Sequence, residues 1–117
     1  MIPEPTTVLC RTPTPGKQGT RIAAWKFEAI SAAILEVVPG EGSGIEFADL
    51  SWLVGDRLAP EHRDRLGSLP WYVTTVKLEM EVRGDLIRGW GFGRQRLWRS
   101  GAAAQMMTSR ATRKKTC

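Results

Sequence analysis

"WYVTTVKLEMEVRGDLIRGWGFGRQRLWR", residues 71–99, contains a change of periodicity that decides the predicted fold. In its first half, apolar residues recur at helical spacing up to Met80, and Gly84 follows as a residue that readily ends a helix in the left-handed conformation. In its second half, residues 85–90 and 94–99 are short runs of strand-forming residues separated by the tripeptide GFG. The stretch therefore predicts a helix followed by a β-hairpin.

The glycines of this stretch raise the question of a phosphate-binding loop. Gly89, Gly91 and Gly93 are spaced by two residues, whereas a dinucleotide fingerprint places its glycines as G-x-G-x-x-G between a strand and a helix. The run after Gly93 is short and interrupted by arginines, which is unfavourable for a helix of that kind. A hairpin with a glycine-bearing loop is the better interpretation.

Two further helices are predicted upstream. Apolar residues recur at i, i+3, i+4 and i+7 from Trp25 until Pro39 ends the pattern. Ser43 and Glu46 have the spacing of a capping box, and a second helix over about 47–58 follows them. The polar connection that comes next, with proline at each end, could contain one helical turn.

The chain as a whole suits one domain of ordinary globular composition, with 117 residues and 42% hydrophobic content. We expect a proline-rich arm over 1–22, with one short edge strand, a folded domain over 23–100 and a basic flexible tail over 101–117. Within the tail, Met106 and Met107 could begin a weak helix that serves as a dimer contact, or could be disordered. The predicted fold class is mainly α with a small β-hairpin, namely a winged helix of three helices plus a wing. Its predicted core consists of Ile30, Ile34, Val37, Phe47, Leu50, Val54, Val73, Val76, Met80 and Leu86.

The motifs "TPGKQGTR", "KFEAISAAILEVVP", "FADL", "WYVTTVKLEMEVRGDLIR" and "LWR" occur in this order between Val8 and Arg99. In order and spacing they resemble a family of small uncharacterised bacterial proteins, usually described as winged-helix-like and known only as a domain of unknown function. The resemblance implies an architecture and brings no activity, cofactor or catalytic residue. One departure is Ala23, which stands where a capping aspartate is expected before the first helix.

Charge is distributed unevenly along the chain, whose net charge is +5. Residues 1–60 carry −2 and residues 61–117 carry +7. Such an asymmetry favours an anionic partner, and DNA is the partner that a winged helix suggests. A basic, solvated tail that aids solubility is the alternative interpretation.

The sequence also suggests which residues would contact DNA. The third helix would lie in the major groove while the wing reaches the backbone or the minor groove. Acidic Glu79, Glu81 and Asp85 weaken this prediction for the helix, and the long connection before it differs from a strict helix-turn-helix. The predicted nucleic-acid-binding residues are Lys77, Arg83, Arg88, Arg94, Arg96 and Arg99. The expected function is that of a DNA-binding protein, such as a small transcriptional regulator.

Five tryptophans support a second hypothesis. We expect Trp25, Trp71 and Trp98 to lie in the core, as aromatic residues at helical or strand spacing usually do. Trp52 and Trp90 are the better candidates for exposed interface anchors. The alternative function is therefore a module for protein–protein interaction, with a protein partner or a second copy and no role in nucleic-acid binding.

Nothing in the sequence suggests an enzyme. The cysteines, Cys10 and Cys117, have no metal-ligand spacing, and the single histidine, His62, lies in a charged loop. The nearest carboxylate pair, Glu79 and Glu81, has no partner that suggests a raised pKa. We expect no cofactor, metal or small-molecule substrate, no membrane association, since no apolar run is long enough to span a bilayer, and a reducing cytoplasmic location.

Overall fold

A computed structural model describes residues 6–91 and 93–100, so the predicted tail over 101–117 and the tip residue Phe92 lie outside the described residues. The elements in chain order are β1 (Thr7–Cys10), β2 (Thr20–Ala23), α1 (Ala24–Val37), β3 (Ile45–Glu46), α2 (Phe47–Arg57), α3 (Pro60–Leu66), α4 (Leu69–Arg83), β4 (Leu86–Gly91) and β5 (Arg94–Arg99).

The strands form two antiparallel sheets. The first sheet pairs β1 with β2 and lies beside α1 and α4. The second has the order β3-β5-β4, with Leu86 opposite Arg99 at one end of the hairpin and Gly91 opposite Arg94 at the other. The predicted hairpin of residues 85–99 is thereby confirmed, and its strand boundaries agree to within one residue.

The three predicted helices are also present, as α1, α2 and α4. At α4, the hydroxyl of Ser68 accepts a hydrogen bond from the backbone N–H of Trp71, and Gly84 ends the helix with φ of 86°. The predicted capping box of α2 is wrong, because its first flanking residue is Glu46 and no side chain caps it. At α1, the Ala24 N–H donates to the Thr6 carbonyl, so the backbone beside β1 takes the place of the missing capping side chain.

The prediction of a winged helix with three helices and a two-stranded wing is wrong. The chain forms four helices and two small antiparallel sheets. The polar connection, in which at most one helical turn was expected, forms the seven-residue helix α3, which begins with Pro60 in its first turn and buries only Leu66. The hairpin gains a third strand in β3, and β1 and β2 form a sheet of their own.

One hydrophobic core joins the helices to both sheets. Its buried members include Cys10 and Ile22 from the first sheet and Leu97 from the second. Eight of the ten predicted core residues are buried, while Val37 and Phe47 are partly buried against the core. In residues 6–91 and 93–100, none of the helices has the length and apolar content that crossing a membrane requires.

Candidate interaction surface

The side chain of Lys77 points into the protein from α4 and is only 2% exposed. Its Nζ lies 2.6 Å from Oε2 of Glu81 and donates to Oε1 of Gln95 at 2.8 Å, and it also lies 4.6 Å from the centre of the Phe47 ring. Burial lowers the pKa of Lys77, while the hydrogen bond with Glu81 opposes that change. The ammonium is thus held under the second sheet and is not presented to an external phosphate.

Arg83, the other predicted DNA contact of α4, is one of two half-exposed arginines that form ion pairs with the buried carboxylate of Glu79. We call Arg11, Glu79 and Arg83 the Glu79 cluster. Glu79 accepts hydrogen bonds from the backbone N–H of Arg11 at 2.7 Å, from its guanidinium at 2.7 and 3.0 Å, and from Arg83 at 2.7 Å. Burial of Glu79 favours its neutral form, but these hydrogen bonds outweigh burial and lower its pKa to about 2. From the sequence, i, i+4 spacing indicates Arg83 as a neighbour of Glu79. It does not indicate Arg11, which is 68 residues away, so burial of the Glu79 carboxylate was not expected.

The side chains of β5 bind the segment that connects α1 to β3. Arg99 donates to the Val38 carbonyl at 2.6 Å, Trp98 donates from Nε1 to the Gly42 carbonyl at 2.8 Å, and Arg96 donates to the Ser43 carbonyl at 2.6 Å. All three acceptors are backbone carbonyl oxygens of the loop between α1 and β3, which is not itself part of a helix or strand. Three β5 side chains therefore fix the loop, and two of them are arginines predicted to contact DNA.

The glycines of the hairpin make room for two of those side chains. A Cβ at Gly89 would lie 3.0 Å from the ring of Trp98, and a Cβ at Gly91 would lie 2.8 Å from Cδ of Arg96. Both distances are shorter than ordinary van der Waals contact. Trp98 and Arg96 thus lie across the neighbouring strand. The spaced glycines of β4 make room for these side chains and do not form a phosphate-binding loop.

The four hairpin arginines do not share a face. Successive side chains of a strand point to opposite sides of the sheet, so Arg94 and Arg96 lie on one side and Arg88 and Arg99 on the other. Arg94 and Arg96 each lie 3.5 Å from the carboxylate of Glu46, and Arg88 lies 3.7 Å from that of Glu81. Each cation therefore has a partner inside the protein, and no single basic face results.

The two tryptophans predicted as interface anchors are highly exposed. Trp52 on α2 is 59% exposed, and Trp90 on β4 is 71% exposed. Trp90 lines a shallow pocket together with Phe47 and Ala48, and Ala48 precedes Trp52 by four residues on the same side of α2. We call Ala48, Trp52 and Trp90 the tryptophan surface, which runs from the helix to the hairpin above Phe47.

Polar groups border the tryptophan surface. Glu46, Arg94 and Gln95 line the same pocket, and Nε1 of Trp52 lies 3.4 Å from Oδ1 of Asp49, to which it donates. Aromatic side chains surrounded by a polar rim are typical of the central part of a protein interface. The surface can therefore bury an apolar side chain and satisfy polar groups around it.

The remaining tryptophans differ from the core prediction. Trp71 is 47% exposed, so the prediction is wrong for this residue. Trp25 is half-buried between α1 and α3, with the His62 ring centre 5.2 Å from its own and the Arg65 guanidinium also 5.2 Å away. Trp98 is half-buried on the sheet. Helical spacing placed the apolar face of α4 correctly, but Trp71 lies in the first turn, where the helix begins at the surface.

Fold and surface together define a small α+β protein that exposes Trp52 and Trp90 and pairs the arginines of its hairpin with groups of its own chain. The chain belongs to a family of unknown function, DUF6958, whose model matches residues 7–96. No similar curated protein and no similar solved structure was found. The match brings no activity, and in the part of the chain that the structure describes, no three His, Cys, Asp or Glu side chains are arranged to hold a metal ion.

Proposed function

We propose that this protein is a protein-interaction module that binds its partner through the tryptophan surface. The observation that carries the proposal is the exposure of Trp52 and Trp90, at 59% and 71%. Ala48, one helical turn before Trp52, lines the same pocket as Trp90. Exposing two indoles to water costs hydrophobic free energy, which a partner recovers by covering them. Tryptophan is also among the residues that contribute most to binding when buried at the centre of an interface.

The shape of the surface favours a partner with a protruding apolar side chain. The pocket between Trp90 and Ala48 has Phe47 in its lining and is open to solvent. Glu46 and Arg94 line the same pocket with charges of opposite sign. A short helix or an extended segment that inserts one apolar residue and places polar groups beside it would satisfy this arrangement.

Binding to the tryptophan surface can be tested with a matched set of tryptophan variants. Protein partners recovered from cells on the immobilised chain should be lost with Trp52→Ala and with Trp90→Ala. Trp71→Ala is the control, because Trp71 is also exposed but lies on α4, and it should retain the same partners. Truncation of a central anchor costs about 2 kcal/mol or more, which corresponds to about thirtyfold weaker binding.

Quantification of the captured proteins decides between the outcomes. Partners that survive both Trp52→Ala and Trp90→Ala contradict the proposal. Loss with all three variants alike would show a general effect of removing tryptophan, and it would also contradict the proposal.

Nucleic-acid binding is the second candidate, and the net charge of +5 is the observation that favours it. Residues 6–100 contain thirteen Lys and Arg against eleven Asp and Glu, whereas residues 101–117 contribute four cations and no acidic residue. The charge that would attract a phosphate backbone is therefore concentrated at the C-terminal end of the sequence, and a duplex would be bound mainly through those residues.

A further inference from the structure

We propose that two copies of this chain associate through their β4 strands, which pair antiparallel across a two-fold axis and join both three-stranded sheets into one. This self-association goes beyond the proposed function, because it uses the backbone edge of β4 and does not require Trp52 or an external partner.

The edge of β4 is open. In the sheet order β3-β5-β4, no strand of residues 6–91 and 93–100 pairs with the side of β4 that faces away from β5. The Ser100 N–H donates to the Asp85 carbonyl at 3.0 Å, which makes Asp85 and Ser100 a hydrogen-bonded pair of the ladder. Such pairs alternate along an antiparallel strand. The N–H and C=O groups of Leu86, Arg88 and Trp90 therefore point outward, away from β5.

The features that normally protect an edge strand are missing from β4. The strand contains no proline and pairs residue for residue with β5 without a bulge. Its one charged residue, Arg88, has the Glu81 carboxylate 3.7 Å away, so its charge is partly compensated within the protein. Ile87 and Trp90 are 51% and 71% exposed on the two faces of the strand. An exposed edge with these properties is a template for a further strand.

The sequence of β4 is self-complementary in one register. A two-fold axis at Gly89 places Arg88 opposite Trp90 of the second copy, where the guanidinium can lie against the indole. The same register places Ile87 opposite Gly91 of the second copy, so a large side chain meets an open position. Arg88 and Trp90, whose backbone groups point outward, then form two equivalent hydrogen-bonded pairs.

The neighbouring register is less favourable. An axis at Arg88 would place the two Arg88 side chains directly opposite each other, and like charges in that position are destabilising. Because β4 is complementary to a second copy of itself in the register centred on Gly89, we assign its open edge to self-association.

Amide hydrogen exchange measured over a range of concentrations tests the proposal directly. The amides of Arg88 and Trp90 should exchange rapidly in dilute protein and become protected as concentration rises. The amides of Ile87 and Gly89, which face β5, should be protected at every concentration. Light scattering should show a shift from 13.0 kDa toward twice that mass over the same range.

Two substitutions at one position separate the backbone from the side chain. Arg88→Pro removes an outward N–H that an edge strand can spare, and it should weaken the dimer by about a hundredfold or more, because the symmetric dimer loses one hydrogen bond from each copy. Arg88→Ala keeps the N–H and should weaken the dimer by only about tenfold. Circular dichroism establishes that both variants fold.

Three outcomes would overturn the proposal. The first is a chain that stays monomeric at several hundred micromolar. The second is a dimer whose Arg88 and Trp90 amides still exchange freely, which would place the interface elsewhere. The third is protection of these amides at every concentration in a monomer, which would mean that the chain covers its own edge. Should Arg88→Pro fail to fold, the exchange pattern of the unaltered chain still decides. Trp90 belongs to both surfaces, whereas Trp52 belongs only to the tryptophan surface. Loss of partners with Trp52→Ala therefore judges the proposed function separately from the dimer.

Discussion

Gly89 and Gly91 show how the absence of a side chain on one strand can position side chains on the next. Trp98 and Arg96 lie across the space that a Cβ would fill, and from there they reach the carbonyls of Gly42 and Ser43. The two glycines therefore act on a loop that neither of them contacts. Their conformational freedom matters less here than their size.

Gly89→Ala should destabilise the protein by about 1–2 kcal/mol, because the added methyl group overlaps the Trp98 ring and forces it to move. In a Trp98→Leu background the same change should be neutral or slightly stabilising, since alanine restricts the unfolded chain more than glycine does. Denaturant unfolding of the four proteins of this double-mutant cycle gives the coupling free energy. Equal effects of Gly89→Ala in both backgrounds would contradict the steric explanation.

The sequence did not indicate which charged side chains are buried. Lys77 and Glu79 are two positions apart on a helix of mixed polarity, and both are nevertheless buried. Lys77 is buried because α4 lies under the second sheet, and Glu79 because β1 brings Arg11 to it. Both partners are distant in sequence, so no local pattern contains them. Exposure of Trp52 and Trp90, in contrast, was inferred correctly, for Trp52 from its position opposite Leu50 and Val54 on α2 and for Trp90 from its position in the hairpin.

At the level of elements, the Glu79 cluster attaches the first sheet to α4. Arg11 directly follows β1 and donates three hydrogen bonds to a carboxylate near the end of α4. Charge-assisted hydrogen bonds of this kind are about twice as strong as neutral ones. The Glu79 cluster therefore stabilises the contact between the first sheet and α4.

Glu79→Gln should destabilise the protein at neutral pH by on the order of 2 kcal/mol, because a neutral amide cannot replace a buried carboxylate between two guanidinium groups. The folded-state pKa of Glu79, about 2, lies below its usual value of 4.5. Its contribution to stability is therefore complete above about pH 5 and is lost as the pH falls toward 2. Denaturant unfolding of both proteins at several pH values should show the difference closing over that interval. A difference that stays constant with pH would contradict this assignment.

Periodicity and end signals were sufficient to predict some of the elements. α1, α2 and α4 each contain apolar residues at helical spacing and end at glycine or shortly before proline, and the hairpin has strand-like runs on both sides of its turn. α3 has only seven residues and one buried side chain, which is too little for a periodic signal. β3 has two residues and exists because β5 supplies its partner. The fold class was wrong because α3 is too short to give a clear signal and because β2 and β3 exist only through pairing with β1 and β5.

At the level of the whole molecule, most of the excess positive charge lies outside the residues that the structure describes. The described residues contain nearly equal numbers of cationic and acidic side chains, and several of the cations, such as Lys77, Arg94 and Arg96, form ion pairs with carboxylates of the same chain. Removal of residues 101–117 lowers the net charge from +5 to +1. The truncated chain therefore separates the contribution of residues 1–100 to charge-dependent binding from that of residues 101–117.

Truncation after Ser100 should leave the melting temperature nearly unchanged and should abolish most binding to a mixed-sequence duplex. Each phosphate contact that is lost lowers the salt slope by about 0.9, so a fluorescence titration at two salt concentrations measures the effect. The double change Arg94→Ala, Arg96→Ala in the full chain is the comparison, and it should leave the slope nearly unaltered because both arginines are paired with Glu46. The opposite ranking, with the slope lost in the arginine variant and kept after truncation, would place a nucleic-acid site on the hairpin.

The buried position of Cys10 makes the reactivity of its thiol a measure of how often the first sheet opens. Burial raises the pKa of the thiol, the nearby charge of Glu79 raises it further, and Arg83 partly opposes both. Since the thiolate is the reactive species, an alkylating reagent can modify Cys10 only in molecules whose first sheet has opened. With Cys117 replaced by serine, the rate at which the reagent modifies Cys10 would report how often the first sheet opens in the population of molecules.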